Sequence, residues 1–263
     1  MNLDFLNEFH LEDIQNSSHP SDFYSYKDYS VLIIRIPEVS KEKIDIISYA
    51  FIIRDNRAYL YNREKNELKE IGSLLEISQF LNKKIEKLLK DVMRYHYQIE
   101  CLEDELYENR IERDFINKIM GYKKDISLIY RVLLFAIVAL ELFISHFKHS
   151  KDYPKLAYDD LLEHMKRVRN LSKSANEKLD NLYNFYKAKI DEKMNRNIYY
   201  LTVLSGIFLP LTLLTGFFGM NTGGLPLTDN ENGTLYVVLI SIVLEILFLL
   251  PLFHSKLREK LIK

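Results

Sequence analysis

The chain has 263 residues, with 36 Lys and Arg against 37 Asp and Glu, and this balance lacks the basic excess that a nucleic-acid binder needs. Its one cysteine, Cys101, excludes an intrachain disulfide framework and a cysteine zinc site, and suits a reducing compartment. The length admits one large domain or two modest ones, and the mildly negative mean hydropathy hides a partition: residues 1–197 are mixed and charged, residues 198–253 strongly apolar.

The N-terminal stretch MNLDFLNEFHLEDIQNSS is polar and acidic and lacks the basic-then-apolar pattern of a signal peptide, so this portion is expected in the cytosol. Strand signals cluster over residues 30–61. SVLIIRIPE, IDIISYAFIIRDN and RAYLYN are rich in Ile, Val and Tyr, and RDNR supplies turn chemistry. They predict a hairpin plus a third strand in a small sheet, with no glycine-rich phosphate loop after any strand. Residues 1–72 are read as a small α/β subdomain.

From residue 73 the period becomes helical. Two long helices are expected across 73–150, the second containing the apolar stretch Leu128–Phe147. Arg131 and Glu141 interrupt that stretch, and burying both in lipid would be costly, so it reads as a helix packed against its neighbours. After DYP the pattern restarts, with no glycine before Gly206 and no proline before Pro210. Leu161, Met165, Val168, Ser172, Ala175, Leu179, Leu182 and Tyr186 follow a near-heptad seam. A single helix over 155–218 would be about 96 Å long, roughly three bilayer cores, so 151–197 reads as a stalk. Its seam needs partners, either the preceding helices or other copies of the chain.

Ile198–Phe218 has 21 uncharged residues, enough to span a bilayer, and Leu235–Phe253 is a second span holding one charge, Glu245. The linker 219–234 carries Asp229 and Glu231 but no Lys or Arg. Lys187, Lys189, Lys193 and Arg196 precede the first span, and Lys256, Arg258, Lys260 and Lys263 follow the second, in the tail 254–263. Positive charge on that side places both termini in the cytoplasm and the linker outside. The fold class is thus α+β, with a small N-terminal α/β cytoplasmic domain, a helical stalk and two C-terminal transmembrane helices.

On the first span Asn195, Ile198, Thr202, Ser205, Leu209, Thr212, Gly216 and Gly219 share one mostly small or polar stripe. Periodicity alone leaves two readings, a helix–helix packing face or, in a symmetric oligomer, the lining of a water-filled conduit. Glu245 is a possible proton site, the alternative being a protonated acid bonded to a hydroxyl of the first span.

Asn195 lying 26 residues before Asn221, the run PLTLLTGFFGMN and two closely spaced C-terminal spans together resemble the CorA family of divalent-cation channels. Gly219, Met220 and Asn221 match that family's signature tripeptide. The resemblance implies a homopentamer with a cytoplasmic funnel, and a stalk helix that continues into the pore-lining span. It implies an outer mouth at Gly219, Met220 and Asn221, and a conduit lined by Thr212, Leu209, Thr202 and Asn195. It also implies a regulatory Mg²⁺ site between subunits at Asp160, with Asp159 and Glu163 nearby; the local reading of Asp159 and Asp160 is a favourable helix start.

The segment TGGLP departs from the commonest magnesium-channel loop and looks more like the zinc-transporting branch. The stripe holds amide and hydroxyl oxygens and no carboxylate, histidine or thiol, which suits Mg²⁺ handled through its water shell. Expected partners are divalent cations, the lipid bilayer and further copies of the chain, with no nucleic acid and no tightly bound cofactor. Mg²⁺ is the expected substrate and regulator, in the inner membrane. The alternatives are a proton-coupled transporter of Zn²⁺, Co²⁺ or Ni²⁺ and a membrane-anchored helical scaffold. No nucleophile triad or catalytic carboxylate pair argues for an enzyme.

Overall fold

The computed structural model describes residues 3, 5–40, 43–108, 110–220, 224–227 and 230–261, the last without the side chains of 248, 249 and 251–261. Residues 1–185 and 186–263 form two compact units.

In the first unit, β1 (Asp22–Tyr26), β2 (Tyr29–Val39), β3 (Ile44–Arg54), β4 (Arg57–Asn62) and β5 (Glu67–Gly72) form an antiparallel meander in chain order. The β3–β4 turn places Asp55 and Asn56 at φ 50° and 60°, the left-handed pair that a two-residue hairpin with matching twist requires. The sheet has five strands where three were expected. β1 and β5 are the two edges, and DFYSY and ELKEIG are too short or too charged to carry an alternating signal.

Both faces of the sheet are covered, which is why β2 reads as a continuous apolar run. On one face Val31, Ile33, Ala50 and Ile52 pack with Ile14 of α1 (Glu8–Gln15) and with Leu3 and Leu6. On the other, α2 (Leu74–Tyr107) and α3 (Phe115–Phe147) lie against β2, with Phe80 edge-on to Phe51 and Phe143 edge-on to Phe23. Ser73 starts α2 through a capping box: its hydroxyl accepts from the Leu75 N–H and Glu76 accepts from the Ser73 N–H at 2.7 Å.

Glu38 ties the sheet to α2, accepting from Lys84 at 2.7 Å and from the Tyr49 hydroxyl at 2.8 Å. The Lys84 bond holds the Glu38 carboxyl below its ordinary 4.5, and the Glu38 bond raises Lys84 above 10.5. A carboxyl lowered on folding stabilises above its unfolded value and stops doing so as pH falls through the folded one. A raised lysine keeps its contribution until pH climbs through its folded value. Glu38→Gln should therefore lower stability by about 1 kcal/mol or less at neutral pH. In thermal unfolding scans that gap should close below the ordinary carboxylate range; a gap constant from pH 3 to 7 would contradict the pairing.

α4 (Lys155–Phe218) is one helix of 64 residues, contributing 155–185 to the first unit and 186–218 to the second. Leu161, Met165, Val168, Ser172, Ala175, Leu179 and Leu182 are all buried within the chain itself. α2 and α3 supply the partners of this seam. Glu103 pairs with Lys178 at 2.6 Å, His96 meets the Leu171 carbonyl oxygen at 3.0 Å and Ser127 bonds Asn176 at 3.0 Å.

α3 and α4 are both long and apolar enough to cross a membrane. Half of the apolar window of α3 is buried in its own unit, against 6% for that of α4. Glu141, the charge inside the α3 stretch, pairs with Lys166 of α4 at 2.6 Å. In the second unit α4 is followed by α5 (Gly233–Leu261), whose described apolar portion is Gly233–Leu247.

Candidate functional site

The outer part of α4 carries no charge from Asn197 to Phe218. Within the second unit its covered positions are 199, 203, 206, 207, 210, 211, 214 and 218, one side of the helix at 100° per residue, and Ser205, half-buried outside that side. The matching side of α5 is 233, 237, 241, 244 and 245. The two helices therefore meet through Val203, Ile207, Leu211, Leu214 and Phe218, the bulky residues, and not through the stripe.

The stripe lies on the uncovered side. Asn195, Ile198, Thr202, Leu209, Thr212 and Gly216 are exposed in the single chain, Leu209 by 67%, and Ser205 is half-buried. A Cβ added to Gly216 would meet nothing within 4 Å. Among the described residues, the exposed positions of the stripe are thus not a packing face on α5.

The hydroxyl orientations follow from the helix. Thr202 donates to the Ile198 carbonyl at 2.9 Å and Thr212 to that of Phe208 at 2.6 Å. With each proton turned back to the preceding turn, only oxygen lone pairs face outward. Such a surface accepts hydrogen bonds. The waters of a hydrated dication, which point their protons outward, are one class of donor that such oxygens can accept from.

At the helix end, the Gly219 N–H donates to the Thr215 carbonyl at 2.9 Å. A Cβ at 219 would fall 2.8 Å from that same oxygen, so the first position of the tripeptide has no room for a side chain. Met220 follows, 45% exposed. Asn221 lies outside the described residues, as do Thr222, Gly223 and Asp229. Gly224 takes φ 82°, a conformation that a side chain would strain. A cavity of about 280 Å³ lined by Phe218, Leu227, Asn230, Gly233, Thr234 and Val237 sets the level at which α5 begins beside α4.

The remaining candidates separate. Asp159, Asp160 and Glu163 are all exposed near the start of α4. Asp160 accepts from the Asn82 amide at 3.3 Å, and Asn82 is also 2.8 Å from His164 Nδ1. His164, one turn along α4 from Asp160, was not among the expected residues, and Asn82, on α2, could not be found from local pattern. Among the described residues no three His, Cys, Asp or Glu side chains gather as one chain's metal site would require. Glu245 is half-buried on α5, and its Oε1 is enclosed with no hydrogen-bond partner among the described residues.

Comparison with known proteins identifies relatives of the chain. The family described as CorA-like Mg²⁺ transporter protein matches residues 2–254. The cobalt/magnesium transport protein CorA of Methanocaldococcus jannaschii is 24% identical over 246 residues, 84% of this chain and 75% of its own. YfjQ of Bacillus subtilis is 24% identical over 151 residues, 54% of this chain, and under half of that relative, 46%, is spanned. The zinc transport protein ZntB of Pectobacterium carotovorum is 42% identical over 57 residues, 22% of this chain and 17% of its own. The complete structure of the M. jannaschii CorA magnesium transporter superposes at a TM-score of 0.70 with 19% identity, covering 93% of this chain and 82% of that one, and so shares the fold.

Proposed function

The chain belongs to the CorA-like Mg²⁺ transporter family, and from that premise we propose that it forms a homopentamer in the inner membrane that conducts divalent cations, Mg²⁺ foremost. The family is one of transporters, not enzymes. The observation that carries the reading is the uncharged stripe, with the outward oxygens of Thr202 and Thr212, on the side of α4 that α5 leaves uncovered. Five such rows about an axis enclose a conduit that one row cannot, and weak neutral ligands let the ion leave as readily as it enters.

In this reading 198–218 and 235–253 span the bilayer, the loop 219–234 is external, and the stalk and the basic tail 254–263 are cytoplasmic. Gly219, Met220 and Asn221 form the mouth, where Asn221 holds the incoming hydrated ion. Asn195, Ile198, Thr202, Ser205, Leu209, Thr212 and Gly216 line the path, with Asn195 at its inner constriction. Asp160, with Asp159 and Glu163, offers exposed carboxylates for a regulatory Mg²⁺ whose remaining ligands come from the adjacent subunit. Occupancy of that site would favour the closed state by population shift.

The local similarity to ZntB favours a second reading, Zn²⁺ transport coupled to protons. The two separate in one experiment. The purified chain is reconstituted in liposomes and Mg²⁺, Zn²⁺, Co²⁺ and Ni²⁺ uptake is measured with and without a pH gradient, beside Asn221→Ala. Mg²⁺ uptake without the gradient, reduced about tenfold or more by Asn221→Ala, is the expected result. Zn²⁺ uptake that needs the gradient would replace Mg²⁺ as the assigned cargo. Absence of flux for every ion would leave a membrane-anchored scaffold.

A further inference from the structure

Two chemical liabilities of the second unit lie at the same level. Pro210 is inside α4 and buried, and having no N–H it cannot donate to the carbonyl four residues back, that of Gly206. Within a bilayer an unpaired carbonyl is costly, and so is an ionised carboxylate such as Glu245 would present. Phe218 shares a cavity wall with Gly233 and Val237, which fixes the register of the two antiparallel helices. Glu245 lies 12 and 8 residues beyond those two, so at equal rise it stands opposite about residues 206–210 of α4. The burial pattern agrees, since 206, 207 and 210 on α4 and 241, 244 and 245 on α5 are among the covered positions.

α4 has no charged residue between Ile198 and Phe218, and its titratable groups there are Tyr199 and Tyr200, at the inner end. Thr202, Thr212 and Thr215 donate to carbonyls of their own helix, and Ser241 of α5 donates to that of Val237 at 2.8 Å. Thr202, Ser205 and Thr212 lie on the stripe, on the opposite side of α4 from its covered positions, so the hydroxyl partner that the sequence suggested is not available from these side chains. Glu245 Oε1 is enclosed and has no hydrogen-bond partner among the described residues.

We propose that Glu245 is a proton-binding site whose neutral carboxyl donates Oε1–H to the Gly206 carbonyl that Pro210 leaves free. One proton, taken up from water at the half-exposed edge of Glu245, satisfies both groups. Its loss sets a carboxylate against a carbonyl and weakens the contact of α5 with α4 at the proline. Proton occupancy is thereby linked to the backbone of the helix that carries the candidate conduit. The functional consequence rests on the transport reading given above; the bond itself does not.

The test uses the full chain in detergent and needs no flux. Infrared difference spectra across a pH titration should show a protonated-carboxyl stretch that Glu245→Gln removes, whereas spectra identical with and without the substitution would overturn the site. Thermal unfolding then examines the partner. Glu245→Leu should lower the melting temperature by about 3 °C in the natural background. It should have little effect in Pro210→Ala, where the restored N–H of residue 210 already pairs the Gly206 carbonyl. A drop of equal size in both backgrounds, or in neither, would overturn the pairing. Loss of transport in the reconstituted chain with both of these results intact would count against the conduit and not against the proton site.

Discussion

Thr212→Lys is expected to reduce Mg²⁺ uptake by at least about two orders of magnitude while the protein still assembles. Thr212 is exposed on the uncovered side of α4, and among the described residues its hydroxyl is bonded to the Phe208 carbonyl of its own helix. Replacing it breaks no contact with α5. An ammonium within 5 Å of a passing ion at an effective dielectric of 20 costs about 3 kcal/mol per unit charge, hence about 6 for a dication. Each 1.4 kcal/mol is about a factor of ten in rate, so one lysine is enough and five surround the path. Lysines that release their protons under this repulsion still fill the lumen with their stems. Thr212→Val, which keeps the shape and removes the acceptor, should cost only a few-fold. Gly216→Leu tests the same surface sterically: space is open within one chain, so the substitution folds, and flux is lost only if neighbouring copies converge there. Wild-type flux through Thr212→Lys, with the oligomer confirmed by size, would remove Thr212 from the conduit.

What was legible beforehand followed from periodicity and charge. The hairpin turn at Asp55 and Asn56, the long α4 and the uncharged Ile198–Phe218 are local patterns, and each stands in the fold. The stripe was equally visible, but its meaning was not. Whether small residues pack on a partner helix depends on which side of α4 faces α5, and that is decided by Val203, Ile207 and Leu214 competing for the contact. The heptad seam of the stalk was likewise seen without its partner, because Glu103 and Lys178 are far apart in sequence and near in space. Edge strands β1 and β5 escaped since their residues serve two demands, pairing on one side and solubility on the other. The bond network of Asp160 with Asn82 and His164 belongs to the same class, a long-range juxtaposition with no local signature. The Pro210–Glu245 level became readable only when the end of α4 and the start of α5 were placed side by side.

Tyr158→Ala is the substitution expected to destabilise the first unit most. Tyr158 is fully buried in the first turns of α4, stacked on Tyr153 at 5.3 Å and tilted against Phe143 at 5.2 Å. Phe143 in turn meets Phe23 of β1, so one ring joins α4, α3 and the sheet edge. Its hydroxyl donates to the Leu74 carbonyl at 2.8 Å, adding the start of α2. Burial raises the phenol well above its ordinary value, so the group remains a neutral donor throughout the physiological range. Removing the ring leaves a cavity among helices that cannot all collapse onto it, a loss of about 3–5 kcal/mol. Since a domain of this kind holds only about 5–15 kcal/mol in all, the melting temperature of the unit should fall by about 10 °C or more. Tyr158→Phe keeps the ring and leaves the Leu74 carbonyl without this donor, for about 1–2 kcal/mol. Near-ultraviolet circular dichroism of the tyrosines, in a chain without tryptophan, reads the transition directly. If the two variants melt together, the hydroxyl and not the aromatic contact holds the junction; if Tyr158→Ala melts with the wild type, α4 is anchored to the first unit elsewhere along its seam, through Leu161 to Leu182.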